Sequence, residues 1–100
     1  MTSADHDYWV YIVSNNTRST LYTGVTSELL VRVWQHRNGE RPTSFAQRYQ
    51  CGHLVYWEHY RDIRDAITRE KQLKGWRREK KNALISKLNP RWDDLAEDWY

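Results

Sequence analysis

The sequence predicts a small α/β (α+β) fold in which a three-stranded antiparallel sheet is flanked by about three helices. Three stretches rich in aromatic and β-branched residues are typical of strands, and the stretches after the second and third have the apolar spacing of helices. A chain of 100 residues is long enough for one modest core and too short for two. We therefore expect a single domain over residues 1–100, with a core at about 8–88 and an acidic, aromatic tail at 89–100.

The first two predicted strands form an antiparallel hairpin. Tyr8 to Val13 and Leu21 to Thr26 are apolar, aromatic or β-branched, as strands require. The stretch between them, SNNTRST, is polar and typical of a turn. The hairpin places Tyr11 and Tyr22 on neighbouring strands, and Gly24 follows the second tyrosine by two positions.

The first helix is predicted to begin near Ser27 and to stop at Gly39. A serine at the start of a helix can accept a hydrogen bond from an otherwise unpaired backbone N–H, and a glycine commonly ends one. The apolar stripe expected to face the core consists of Leu30, Val33 and Trp34.

A longer connection leads from the first helix to the third predicted strand. One helical turn is expected within it, around Phe45 to Tyr49. The strand covers His53 to Tyr60, and its apolar and aromatic content comes mainly from residues 54–57.

Two helices complete the predicted fold. Asp62 is expected to cap the second helix, whose end is marked by Gly75. The third helix is predicted from about Trp76 to Leu88, where an Asn-Pro pair stops it. The residues expected to face the core are Ile63, Ala66 and Ile67 on the second helix, and Ala83, Leu84 and Leu88 on the third.

Composition points to a cytoplasmic protein that does not cross a membrane. No apolar run approaches the roughly 18 residues that a membrane span needs. The N-terminal stretch MTSADHD is polar and acidic, unlike a signal peptide. The single cysteine, Cys51, cannot form an internal disulfide, which agrees with a reducing compartment.

Basic side chains are concentrated in one part of the chain. The formal net charge is only +3, but ten basic residues accompany four acidic ones between Arg61 and Lys87. In the last ten residues this balance reverses, with Arg91 against four carboxylates. A basic segment favours a polyanionic partner through phosphate neutralisation, although a run of charges is more often the solvated face of a helix. Charge alone leaves a nucleic-acid partner and a plain solvated surface equally open.

One carboxylate lies where the second helix should be apolar. Glu70 follows Ile63 by seven positions and so continues the stripe of that helix. A carboxylate at the edge of a core is costly unless it is paired or binds a metal. An ion pair with Lys74, four positions later on a solvated edge, is worth only a few tenths of a kcal/mol. Taken alone, the position favours this ion pair over a metal ligand.

A second polar pair lies on the first helix. Arg32 and His36 are four positions apart and therefore share one face of it. Arg32 also follows Tyr22 by ten positions, just after the predicted turn from strand to helix. From there an arginine can reach the same end of the sheet as the tyrosines. For Arg32 alone, an exposed helical arginine is the simpler interpretation.

Together these features resemble the GIY-YIG nuclease superfamily, in particular its small single-domain bacterial members related to the nuclease domain of the excinuclease of nucleotide-excision repair. The resemblance covers about residues 8–88. Because tripeptides alone match by chance, it rests on the order and spacing of several motifs. These are VYI at 10–12, YTG at 22–24, Arg32, His36 and AITREKQLKGW at 66–76.

Three positions differ from the family's pattern. Val10 stands in place of the first motif's glycine, Ile12 in place of its final tyrosine, and Thr23 in place of the second motif's isoleucine. These differences leave both tyrosines and the second glycine in place. The expected fold is therefore the GIY-YIG endonuclease fold.

The resemblance implies a metal-dependent endonuclease that hydrolyses phosphodiester bonds in DNA. Glu70 is the expected ligand of one divalent ion, Mg²⁺ or Mn²⁺, because hard oxygen donors suit such ions. Arg32 is expected to bind the scissile phosphate and stabilise its developing charge. A phenol near a cation can act as a general base, and either Tyr22 or Tyr11 can fill that role while the other orients water or phosphate. His36 positions a tyrosine or a phosphate, with a plain surface histidine as an equal alternative.

Four further residues are expected to contact the substrate. Gly24 would let the DNA backbone or metal waters approach the strand, since a Cβ there would crowd the site. Thr26 belongs either to the loop that lines the site or to the cap of the first helix. Lys74 lies one turn beyond Glu70. Asn82 occupies a position where some relatives carry a phosphate-contacting asparagine, although a surface asparagine is the simpler interpretation.

Two other functions remain open at this stage. One is a nucleic-acid-binding module with little turnover, and the other is an adaptor whose tail docks on a larger repair complex. The set of Tyr11, Tyr22, Arg32 and Glu70 favours catalysis, because a pure binder has no use for a carboxylate that repels phosphate. The expected partner is DNA, with RNA as an alternative, in repair, recombination or the processing of DNA structures. The chain is expected to be a monomer or a weak dimer.

Overall fold

The computed structural model describes residues 6–39 and 50–100 of the chain. Its elements are β1 (Tyr8–Ser14), β2 (Leu21–Thr26), α1 (Leu29–Asn38), β3 (His53–Tyr60), α2 (Ile63–Lys74) and α3 (Arg78–Leu88). This architecture confirms the predicted antiparallel sheet of three strands with three helices. The helical turn predicted around Phe45 to Tyr49 lies outside the described residues.

The sheet has the order β2-β1-β3, and both outer strands pair antiparallel with β1. The central strand is covered on both faces, which explains why its residues from Val10 to Ser14 are all buried. In the register, Tyr11 lies opposite Gly24 on one side and Trp57 on the other. Side chains alternate between the two faces along each strand, so the register decides which residues share a face.

The two faces of the sheet carry separate clusters. Tyr11 and Val13 pack with Leu29 and Val33 of α1 on one face. Val10 and Ile12, which point the opposite way, belong to clusters formed with α2 and α3. The buried helical residues of this second face are Ala66, Leu73 and Ile85.

Helix α1 differs from the prediction in its cap and its buried face. Glu28, rather than Ser27, is the N-cap residue, and the Thr26 hydroxyl oxygen accepts a hydrogen bond of 3.0 Å from its backbone N–H. Leu29 is buried, whereas Leu30 is 56% exposed and Trp34 is 39% exposed. Val33 is buried as predicted, but the row that faces the sheet joins it to Leu29 rather than to Leu30 and Trp34.

Of the residues predicted to face the core from α2 and α3, Ala66 alone is fully buried. Asp62 caps α2 as expected, since its carboxylate accepts a hydrogen bond from the Arg64 backbone N–H, and the helix ends before Gly75. The other predicted residues are partly or fully solvated, because α2 and α3 meet the sheet through neighbouring rows. The buried residues are Ala66, Leu73 and Ile85, while Ile63, Ile67, Ala83 and Leu88 are exposed and Leu84 is half-buried.

A polar network fastens α2 to β3. The Glu58 carboxylate accepts hydrogen bonds from both Tyr56 and Tyr60 and pairs with the Arg69 guanidinium at 3.0 Å. Burial opposes ionisation of Glu58, but the hydrogen bonds from Arg69 and the two tyrosines outweigh it and hold its pKa below the ordinary range. Since Arg69 immediately precedes Glu70, this network also fixes the stretch of α2 that carries Glu70.

Glu58→Gln is expected to destabilise the protein at neutral pH and to reduce its acid sensitivity. The pKa of Glu58 is lower in the folded chain, so its contribution to stability is present above about pH 4.5 and is lost as the pH falls through the folded-state pKa. Urea unfolding from pH 7 to pH 3 should show the gap between wild type and variant narrowing with acid. A constant gap would contradict the role given to the ionised carboxylate.

The C-terminal segment, residues 89–100, is packed onto the sheet. The Asn89 amide donates a hydrogen bond of 3.0 Å to the Val55 carbonyl, and the Leu95 N–H donates one of 2.8 Å to the Leu54 carbonyl. Ala96 is fully buried in the cluster that contains Tyr11. The core therefore extends beyond residue 88, where the sequence placed its end, because backbone and amide groups of this segment satisfy the open edge of β3.

Within residues 6–39 and 50–100, no helix combines the length and the apolar character that crossing a bilayer requires.

Candidate active site

Three rings meet where β1, β2 and α1 come together. The Tyr11 hydroxyl and His36 Nε2 share a hydrogen bond of 2.8 Å. The ring centroid of His36 lies 5.5 Å from that of Tyr11 and 5.4 Å from that of Tyr22, and the two tyrosine centroids are 6.4 Å apart. The structure thus brings together the two strand tyrosines and the histidine that the sequence singled out. Tyr11 is fully buried, whereas Tyr22 is only half-buried.

Gly24 makes room for Tyr11. The two residues are cross-strand partners, and a Cβ on Gly24 would lie 2.5 Å from the Tyr11 hydroxyl oxygen and 2.6 Å from the ring carbon that bears it. This corrects the sequence-based explanation, which gave the space above Gly24 to the DNA backbone or to metal waters. The missing side chain lets the Tyr11 ring lie across β2, since ring and Cβ would occupy the same volume.

Gly24→Ala is expected to lower the free energy of unfolding by about 1–3 kcal/mol, the usual cost of forcing an extra methyl group into a packed site. Gly75→Ala is the matched control, because the nearest atoms to its added Cβ are 3.5 Å away and its φ is −82°. Urea unfolding of both variants provides the comparison. Equal effects at the two glycines would contradict the contact with Tyr11.

Glu70 and Lys74 extend the ring cluster toward α2. Glu70 lies between Ala66 and Leu73 on the buried row of the helix, and its side chain is only 13% exposed. Lys74 Nζ is 2.5 Å from a Glu70 carboxylate oxygen and 5.9 Å from the centroid of the Tyr22 ring. The ion pair weighed from the sequence is therefore present, but at a largely buried carboxylate rather than on a solvated edge.

The donor at this position fits a hard divalent ion. Mg²⁺ in proteins commonly keeps several waters and binds through one or two carboxylates together with substrate phosphates. Glu70 supplies one such carboxylate, and in the part of the chain that the structure describes no cluster of three or more His, Cys, Asp or Glu side chains suits a metal. An ion on Glu70 would compete with the Lys74 ammonium for the same oxygens.

Arg32 lies in a cleft between α1 and α2 rather than in the ring cluster. The cleft has a volume of about 340 Å³, and its lining includes Thr26, Arg32 and Gln35 from one side and Ile67 from the other. The Arg32 guanidinium makes no hydrogen bond or ion pair with residues 6–39 or 50–100. Its donors are therefore available to an anionic group in this cleft.

Gln35 is a residue that the sequence interpretation missed. Its side-chain oxygen is buried and has no hydrogen-bond partner among the described protein groups. It follows Arg32 by three positions, and this helical spacing is the signal that could have identified it. Thr26 combines both roles considered for it, since it caps α1 and also lines the Arg32 cleft.

Asn82 belongs to a different cleft, at the turn between β1 and β2. Its side-chain oxygen accepts a hydrogen bond of 2.8 Å from Arg78 Nε. The other residues that line this cleft, about 290 Å³ in volume, are Arg18, Arg91 and Trp92. The structure therefore separates Asn82 from the ring cluster, although the sequence grouped it with the substrate contacts.

Comparison with known proteins agrees with the fold. Residues 7–83 match the model of the GIY-YIG catalytic domain. UPF0213 proteins of Staphylococcus aureus strains Mu3 and Mu50 are 36% identical to this chain over 78 residues, which are 78% of this chain and 93% of each relative. The solution NMR structure of a UPF0213 protein of Bacillus halodurans aligns with a TM-score of 0.55 at 23% identity. The alignment covers 92% of this chain and 97% of the other, and this likeness shows a shared fold.

Proposed function

The chain belongs to the GIY-YIG family of nuclease domains, and from this membership we propose that it is a metal-dependent endonuclease that hydrolyses phosphodiester bonds in DNA. The observation that carries the proposal is the contact between the ring cluster and the Lys74–Glu70 pair. It places two phenols, an imidazole, a cation and a largely buried carboxylate side by side. We further propose that the activity serves repair, recombination or the processing of DNA structures.

The proposed reaction is hydrolysis, in which a water oxygen bonds to phosphorus and one ester P–O bond breaks. A general base takes a proton from the attacking water, and the leaving oxygen takes one from solvent. Glu70 would hold a Mg²⁺ or Mn²⁺ ion, which when bound stabilises negative charge on the phosphoryl and leaving oxygens. Arg32, whose guanidinium is available in the adjacent cleft, would bind the scissile phosphate through paired N–H donors.

Tyr22 is the proposed base. Its half-buried position leaves it accessible to water, and the Lys74 ammonium lies 5.9 Å from the centroid of its ring. Tyr11 is fully buried and bonded to His36, so we assign it the positioning of His36 and of the neighbouring Tyr22 ring.

A cleavage panel tests the proposed activity. Single-stranded, duplex and branched DNA and single-stranded RNA are each incubated with the protein and Mg²⁺, Mn²⁺ or a chelator. We expect internal cuts in DNA with either metal and none with the chelator. Binding without cleavage of any substrate would favour a non-catalytic nucleic-acid-binding module. Cleavage of RNA alone would change the proposed substrate from DNA to RNA.

A further inference from the structure

The structure divides the basic segment of residues 61–87 into two parts. At its start the cations are matched by carboxylates: Arg64 pairs with Asp62 and Arg69 with Glu58, both at 3.0 Å, and Arg61 lies 3.9 Å from Asp7. Lys74 pairs with Glu70 at 2.5 Å, but no cation from Arg77 to Lys87 forms an ion pair with a described residue. Three cations lie beside β2, an outer strand of the sheet. These three are Lys74, Arg78 and Lys81.

Two sets of contacts establish this line of cations. Lys74 lies beside the Tyr22 ring, and Lys81 is close enough to both Arg78 and Lys74 for their charges, after the larger effect of burial, to lower its pKa. Arg78 in turn donates hydrogen bonds to the backbone carbonyls of Arg18 and Ser19 in the turn between β1 and β2. The line therefore runs from the candidate active site to the cleft lined by Arg18.

That cleft presents donors to an anion. Arg78 donates hydrogen bonds to backbone carbonyls of the turn. It also donates to the side-chain oxygen of Asn82, so that the Asn82 amide N–H₂ group remains available to the cleft as a donor. Arg18 donates one hydrogen bond, to the Trp92 carbonyl, and keeps its other N–H groups. The Arg91 side chain is 83% exposed, and its nearest carboxylate is the solvated Asp93 at 3.8 Å. Among the described residues, no carboxylate lines the cleft itself.

We propose that the cleft formed by Arg18, Asn82 and Arg91 binds a phosphate of the nucleic-acid strand several nucleotides away from the scissile phosphate. This inference rests on the proposed function and gives the strand a direction, from Tyr22 along the outer edge of β2 to the turn. Tyr22 follows Ser19 by three positions, which span at most about 10 Å. At about 3.4 Å of helix axis per phosphate of one strand, this distance corresponds to about three nucleotides.

The test compares binding of a long and a short probe in the presence of a chelator. Fluorescence anisotropy is measured with a labelled DNA strand of about twelve nucleotides and with a trinucleotide, over a range of salt concentrations. The variants are Arg91→Gln and Arg18→Asn, since Arg18 has a φ of 59° that asparagine adopts readily. Arg61→Gln is the matched control, because it removes the same charge at a position next to Asp7.

For the long strand, the logarithm of the binding constant is plotted against the logarithm of the salt concentration. Each cleft variant should reduce the magnitude of this slope by about one and weaken binding of the long strand several-fold. The same variants should leave trinucleotide binding at the wild-type level, and Arg61→Gln should change neither probe. Circular dichroism and melting temperature establish that each variant is folded. The proposal is overturned if the cleft variants lose no more affinity for the long strand than Arg61→Gln does. It is also overturned if they lose affinity for both probes equally.

Two further outcomes separate this inference from the proposed enzyme activity. If the long strand binds as described but is never cut, the subsite stands and the nuclease proposal fails. If the protein cuts DNA while the cleft variants behave like the control, the subsite fails alone. A titration with inorganic phosphate covers the remaining alternative: phosphate binding lost in Arg91→Gln, with no dependence on strand length, identifies a site for small anions and overturns the strand assignment. A wild-type chain that binds neither probe overturns both proposals.

Discussion

Glu70→Gln should retain the fold and DNA binding but lose metal-dependent cleavage by at least about 10²-fold, since a catalytic metal supplies several kcal/mol of transition-state stabilisation. The amide keeps the size of the side chain on the buried row of α2 while removing the charge that holds a divalent ion. Initial cleavage rates over a range of Mg²⁺ and Mn²⁺ concentrations provide the measurement. Anisotropy without metal shows whether binding is retained.

The control for this substitution is Glu97→Gln, which removes an exposed carboxylate from the C-terminal segment. It should cut at the wild-type rate. A Glu70→Gln variant that also cuts at the wild-type rate would show that Glu70 serves only as the partner of Lys74. Higher activity at low metal in Lys74→Gln would support the competition between ammonium and ion.

The second large effect is expected from the two tyrosines. If Tyr22 is the base, Tyr22→Phe should lower the cleavage rate by about 10²–10⁴-fold and abolish the rise of the rate with pH, because the ionisable group is gone. Tyr11→Phe should lower the rate but leave the pH dependence in place, since it removes only the hydroxyl bonded to His36. The measurement is the single-turnover rate from pH 6 to pH 10 for each variant.

Arg32→Ala supplies a further comparison within the same experiment. It should lower the rate, because the donors proposed for the scissile phosphate are gone, and leave the rise of the rate with pH in place, because Tyr22 is retained. The assignment of the base is reversed if Tyr11→Phe, rather than Tyr22→Phe, abolishes the pH dependence. Full rates and an unchanged profile in both phenylalanine variants would make the tyrosines packing residues.

The strands and most ends of the helices could be predicted from sequence, whereas the buried rows of the helices could be predicted only in part. β1 and β2 are specified locally, by β-branched and aromatic residues on either side of a polar turn. Helix α2 is likewise bounded by Asp62 and Gly75. Which row of a helix is buried depends on where the sheet lies against it, so Ile63 and Ile67 could have the right spacing and still be exposed.

The candidate site shows the same division. The resemblance of the chain's motifs to the GIY-YIG family was enough to select Tyr11, Tyr22 and His36, whose rings the structure brings within 6.4 Å of one another. The role of Gly24 depends on its contact with the Tyr11 ring across the hairpin. The spacing of residues along the chain does not show which side chain packs against a glycine. The cleft at the turn depended on Arg78 reaching the backbone of residues about sixty positions earlier. Contacts of this kind follow from tertiary packing and leave no local pattern.

The packing of residues 89–100 bears on how shortened forms of this protein should be made. The family match ends at residue 83, within α3, so an expression boundary placed there would discard Ala96 together with the backbone partners of Leu54 and Val55. The cavity left by Ala96 would open directly onto the cluster that holds Tyr11. A truncation guided by the family boundary would therefore remove packing that supports Tyr11 in the candidate active site. Low activity in such a fragment would reflect this loss of packing rather than a lack of catalytic residues.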